Sequence, residues 1–315
     1  MPDPLGDPKK EKIERHLALV FIVLAVAFWG YSFISTKVVL DQIPPVSIAL
    51  IRQFIAVLVL LPIAIYRKEL SRTSFRDMST IALGGFFGTV LYAVFENTGL
   101  QYTTASNASM IVSALPVFTL FAEAALFRVK VRLGMILCLL LSMAGVYLVV
   151  TVNGSLMISS SQFLGNVMIL GAMASWVVYT ILIRGIAGKY SSMNIITYQS
   201  LASIILFVPF VLPEAGMWDS LLSLSHSTLA NLLFLGVFCS ALANLFFIYA
   251  VQRLGASLPS AFLNLIPVVT IVCGYIFLQE RLTLVQIAGM ALIMSALYKF
   301  NTQSINHNCR IENKN

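Results

Sequence analysis

Apolar runs, each about as long as a membrane-spanning helix, follow one another along this chain. They lie at roughly 17–40, 46–66, 78–98, 104–127, 131–152, 163–187, 193–212, 228–250, 257–278 and 283–302. A hydrocarbon core about 30 Å thick takes about 20 apolar residues per helix. Backbone polar groups find no water there, so each run must bond to itself as a helix. Composition agrees: 59% of the 315 residues are hydrophobic and 10% are charged, against about 25% charged in a soluble domain. The excess apolar surface therefore faces lipid. An all-α integral membrane protein with ten transmembrane helices is the expected fold class. No gap is long enough for a soluble domain, and only the two ends and 213–227 can lie outside the membrane at any length.

Residues 1–16 are polar and read as a cytoplasmic N-terminal tail, with 303–315 as its C-terminal counterpart. The run at 17–40 exceeds the core of a signal peptide, about 7–15 residues, and reads as a retained first helix. Basic residues set the orientation. With the N-terminus inside, 17 of the 20 Lys and Arg fall on the inner side. Only Lys37 and Arg281 fall outside, and Arg52 lies within a helix. The positive-inside rule then predicts N-in, C-in. The same rule accounts for the net charge of +7 without nucleic acid, which is not expected as a partner.

The two halves match. A shift of 151 carries Gly85 onto Gly236, Gln101 onto Gln252, Ser106 onto Ser257, Ser109 onto Ser260 and Pro116 onto Pro267. A shift of 147 carries Trp29 onto Trp176, Lys37 onto Arg184 and Pro62 onto Pro209. Each copy holds five helices, an odd number, so the second enters the membrane inverted. The repeats span 17–152 and 163–302. Inverted repeats place a substrate site near the midplane between the copies.

The run Gly99-Leu-Gln-Tyr-Thr-Thr-Ala-Ser-Asn-Ala-Ser, the following Leu115-Pro116-Val117-Phe118-Thr119, and Leu278-Gln-Glu-Arg-Leu-Thr283 with Gly289 resemble the EamA family of the drug/metabolite transporter superfamily. So do Ala27-Phe28-Trp29-Gly30 and Leu50-Ile51-Arg52. The resemblance covers nearly the whole chain, twice. The Glu-Arg-Leu-Thr element is intact in the second copy, but Val129-Lys-Val-Arg stands at its place in the first. The resemblance implies export of metabolites, often amino acids, across the bacterial cytoplasmic membrane.

Polar residues inside apolar helices mark the candidate site, since they must face protein or water. Ser106, Ser109, Ser113, Pro116 and Glu123 share a face of the fourth run; Ser257, Ser260, Asn264 and Pro267 repeat it in the ninth. Each proline frees a carbonyl one turn back, at Val112 and Leu263. Trp29, Ser32 and Thr36 share a face of the first run, with Trp176 and Tyr179 in the sixth. The substrate-cavity candidates are Trp29, Ser32, Asn107, Ser113, Trp176, Tyr179, Asn244 and Asn264. The serines equally suit close helix packing, and Asn107 and Asn244 suit helix–helix hydrogen bonds. Arg52, Glu96 and Glu123 are charges within helices and the candidates for gating or coupling, with Arg52 and Glu96 expected to pair at the outer mouth.

No G-x-x-x-x-G-K-S/T run supplies an ATP engine. His16, His226 and His307 stand outside the helix cores, and the four cysteines form no C-x-x-C pair, so neither metal nor other cofactor is expected. Gly84-x-x-x-Gly88 suits close helix packing and leaves a homodimer open. A secondary transporter of small metabolites is the leading reading. A channel, or less readily an intramembrane enzyme, is the alternative; no nucleophile–base constellation assembles for the latter.

The orientation has a direct check. In a cysteine-free background, Asn153→Cys and Gly216→Cys should react with an impermeant maleimide from outside, and Arg72→Cys only after permeabilisation. External labelling at position 72 would contradict N-in.

Overall fold

The computed structural model describes residues 8–112, 133–150, 161–186, 188–214, 224–254, 262–280, 282–285 and 287–296, with isolated positions at 114, 115, 118, 122, 259, 298 and 299. Every regular element among the described residues is helical. In chain order they are α1 (Pro8–Leu40), α2 (Pro45–Tyr66), α3 (Phe75–Tyr102), α4 (Ala105–Val112), α5 (Leu133–Val150), α6 (Ser161–Arg184), α7 (Ser192–Val211), α8 (His226–Leu254), α9 (Ile266–Leu278) and α10 (Ile287–Ala296). Six of them, α1, α2, α3, α6, α7 and α8, are long and apolar enough to cross a membrane. Their outward side chains include Phe54, Leu58, Ile65, Ile205 and Val208, all exposed, which is costly in water and suits lipid.

Helix starts follow side-chain chemistry. Ser74, Ser191 and Ser225 each accept from the backbone N–H three residues on, at 3.1–3.2 Å. Thr104 does the same for Asn107 at 3.1 Å. These hydroxyls satisfy donors that a helix leaves orphaned. α2 instead begins with Pro45 at its first position, where a missing N–H does no harm. Helix α1 starts at Pro8, inside the segment expected to be a polar tail.

Besides α1, two helices outrun their apolar patterns. α3 has 28 residues and α8 has 29. Each contains a π-helical stretch, Phe86–Leu91 in α3 and Leu235–Ala243 in α8. The stretches occupy matching places, because Gly85 and Gly236 correspond between the halves. A π turn widens the helix and misaligns its ladder, and such turns cluster at functional sites.

The halves interlock rather than sit side by side. α3 packs along α6 and α1 along α8; α2 packs on α7; α1 meets α9 and α6 meets α4. Exchanging each helix for its match in the other half reproduces this set of contacts. Close approach is bought with glycine at the α3–α6 crossing. A Cβ on Gly99 would come within 2.9 Å of the Gly165 carbonyl, and one on Gly165 within 2.7 Å of the Gly99 carbonyl. The Gly84/Gly88 face is also used inside the chain, against Ile183 and Tyr179 of α6.

Two carboxylates tie helix starts to the far ends of other helices. Glu214, after α7, accepts from Val46 N at 2.9 Å and from Ser47 N and Oγ at 2.7 Å each, closing the start of α2. Glu280, after α9, accepts from Ala105 N at 2.9 Å, Ser106 N at 3.1 Å and Ser106 Oγ at 2.6 Å, closing the start of α4. Negative charge at a helix N-terminus also meets the positive end of the helix dipole. The Glu of the Gln-Glu-Arg-Leu-Thr element therefore stitches the second half to the first.

Glu280→Ala should lower the apparent melting temperature of the purified protein, corresponding to a loss of about 1–3 kcal/mol from two stranded N–H groups and one hydroxyl. Glu280→Gln, which keeps one acceptor, should lose less. An unchanged melting curve for the alanine variant would show that the cap contributes nothing.

Candidate functional site

A cavity of about 90 Å³ available to water opens between the halves, room for several waters at about 10–15 Å³ each. α1 supplies Trp29 and Ser32, α2 supplies Arg52 and Gln53, and α3 supplies Thr89, Tyr92 and Glu96. Across from them stand Trp176 of α6 and Ser240 and Asn244 of α8. Leu263 and Ile266, around the start of α9, complete the wall with Val112 and Leu115. Both π stretches reach it, through Gly88 and Thr89 in one and Ser240 in the other.

Irregular backbone at membrane depth is tolerated where it is re-satisfied or lines a cavity. Asn244 Nδ2 donates to the Cys239 and Ser240 carbonyls, both at 3.1 Å, repairing the ladder of the second π stretch. Trp29 Nε1 donates to the same Cys239 carbonyl at 3.3 Å. The Leu263 carbonyl, released by Pro267, is taken by Ile266 N–H in a 3₁₀ turn, Leu263–Leu265. Asn244 thus shapes the wall as well as lining it.

The aromatic residues form one cluster. The Trp29 and Trp176 rings meet edge to face at 6.0 Å, and Phe247 contacts both at 5.5 and 6.2 Å. Tyr92 lies 5.3 Å from Trp176, and Tyr179 lies 5.0 Å from it on the far side. Such contacts add about 0.5–1.5 kcal/mol each beyond area burial and stiffen the wall.

Arg52 and Glu96 share the cavity, but among the described residues the ion pairs are Lys189–Asp77 and Arg253–Glu14, and Arg52 and Glu96 form none with each other. Arg52 Nε donates to Ser240 Oγ at 3.1 Å, across the two halves. Glu96 Oε1 accepts from Tyr92 Oη at 2.7 Å, one turn back on its own helix. Each charge is thus anchored on a neutral hydroxyl, and the two act on each other across the cavity.

Of the sequence-derived cavity candidates, Trp29, Ser32, Trp176 and Asn244 line the wall, together with Arg52 and Glu96. Ser32 turns its hydroxyl to the Trp29 carbonyl at 2.7 Å. Asn107 and Tyr179 are buried in helix packing and are not part of the wall. Ser113 and Glu123 lie outside the described residues, as does the side chain of Asn264. Tyr92, Gln53, Thr89 and Ser240 were not anticipated. The signal for Thr89 and Ser240 was there in principle: each stands four residues past one of the matched glycines, Gly85 and Gly236.

Apolar helices surrounding a small polar cavity between two matched halves define a multi-pass membrane protein with an internal solute site. The chain belongs to the EamA-like transporter family, whose model matches residues 16–151 and again 163–302. It is similar to an uncharacterized transporter of Archaeoglobus fulgidus, 28% identical over 89% of this chain and 96% of that protein. A probable terminal-alkyne amino-acid exporter of Streptantibioticus cattleyicolor is 25% identical over 90% of this chain and 93% of its own. A crystal structure at 17% identity superposes with a TM-score of 0.66, covering 91% of this chain and 97% of the other, a likeness of fold. The family and its members are transporters, not enzymes.

Proposed function

We propose that this protein is a secondary transporter that exports small metabolites, amino acids or related amphipathic compounds, across the cytoplasmic membrane by alternating access. In this reading the chain crosses the bilayer ten times, as two inverted five-helix repeats with both termini in the cytoplasm. The observation that carries it is the cavity: both matched halves wall it, each bringing a tryptophan, Trp29 or Trp176, and a π-distorted helix. A site between two like bodies can be opened to either face by rocking one against the other. The exchange of helix contacts between the halves supports such a two-fold arrangement. Export of amino acids draws on the Streptantibioticus relative, a probable terminal-alkyne amino-acid exporter, and on the aromatic, mixed-charge wall. Substrate moves within the bilayer-embedded protein; a homodimer is not required by this mechanism, because the chain supplies both halves of the site.

The test is transport by the purified protein in proteoliposomes loaded with a mixed metabolite panel, with and without a pH gradient. Saturable, protein-dependent flux of at least one amphipathic amino acid is expected. Absence of flux for every compound, or ion conductance at channel rates in planar bilayers, would overturn the proposal.

A further inference from the structure

We infer that the cavity selects zwitterions, with Arg52 taking the carboxylate and Glu96 the ammonium of one small molecule whose apolar side chain rests on Trp29 and Trp176. This deepens the transport reading and rests on it.

Arg52 and Glu96 are the charged residues among the described lining of the cavity. Each makes one side-chain hydrogen bond, Arg52 to Ser240 and Glu96 to Tyr92. A guanidinium carries five N–H donors in a planar fork, and a carboxylate has two oxygens. The Nη groups of Arg52 and Oε2 of Glu96 make no further side-chain hydrogen bond among the described residues. Opposite charges in a poorly screened cavity attract strongly. Here the two act on each other across the cavity without a direct ion pair, and each is anchored on a neutral hydroxyl.

A cavity lined by a cation and an anion that are not directly paired is complementary to a molecule carrying both charges in the opposite order. A carboxylate suits the guanidinium fork through paired hydrogen bonds. An ammonium suits Glu96, whose carboxylate keeps one oxygen beyond its bond from the Tyr92 hydroxyl. A ligand with only one of the charges leaves the other protein charge unmatched in a desolvated site, which is unfavourable. Selection therefore acts on the pair of charges first and on the side chain second. The Trp29–Trp176 corner offers a broad apolar surface to that side chain and no further charge.

The experiment compares three probes of one shape, binding to the purified full chain: L-phenylalanine, phenethylamine, which lacks the carboxylate, and 3-phenylpropionate, which lacks the ammonium. Wild type should bind phenylalanine about tenfold or more tighter than either, the scale of one lost charge-assisted contact. Arg52→Gln should erase the preference over phenethylamine, and Glu96→Gln the preference over 3-phenylpropionate. Equal wild-type affinity for the three probes, or variants that weaken all three alike, would overturn the inference. If both variants misfold, the wild-type comparison decides alone. Flux in proteoliposomes without zwitterion preference sinks this inference and leaves the transporter standing. Zwitterion-selective binding without flux does the reverse.

Discussion

Every backbone N–H and C=O in a hydrocarbon layer must be bonded inside the protein, and the architecture follows from where that demand is met irregularly. Most of the described chain meets it with plain helix. The exceptions are the two π stretches, Phe86–Leu91 and Leu235–Ala243, and the 3₁₀ turn at Leu263–Leu265. All three border the one cavity that holds Arg52 and Glu96. Asn244 and Trp29 supply donors to carbonyls that the second π stretch leaves poorly placed. Distorted backbone, its repair and the polar wall are one construction: widening a helix makes room, and side chains from both halves line the room.

The helix ends are handled with charge. Glu214 and Glu280 each bring three acceptor contacts to a helix start on another segment. Both ties join the first half to the second. A carrier that rocks one half against the other has to loosen such ties on one face in each cycle, and hydrogen bonds of modest net strength are suited to that.

Apolar run length was enough to anticipate the six helices long enough to cross a membrane, because the bilayer requires it of any sequence. Register within the helices was harder. The 3.6-residue period that put Tyr179 on the cavity face holds for a regular helix, but its neighbour α3 carries a π turn, and Gly88 receives the Tyr179 ring instead. Beyond Phe86–Leu91 the extra residue per turn rotates the following face, which is how Tyr92 and Glu96 come to the wall one turn apart. Asn107 shows another limit: a polar residue on a membrane helix must face something polar, and periodicity does not distinguish a cavity from a neighbouring helix. The Arg52–Glu96 pair was expected from their similar depth. What depth could not reveal was Ser240, 188 residues away, which claims the Arg52 side chain. Glu280 was legible as part of a recurring element, but its cap on α4 depends on a contact 174–175 residues distant.

The central claim is that one cavity between the halves faces each side of the membrane in turn. Ala93 lines that cavity without bonding to a ligand-binding group, so Ala93→Cys in a cysteine-free background reports its access. In oriented vesicles, an impermeant maleimide should label this cysteine when added to either face, and a saturating transported solute added to one face should slow labelling from both. Labelling from a single face under every condition, indifferent to solute, would contradict alternating access and leave a one-sided pocket.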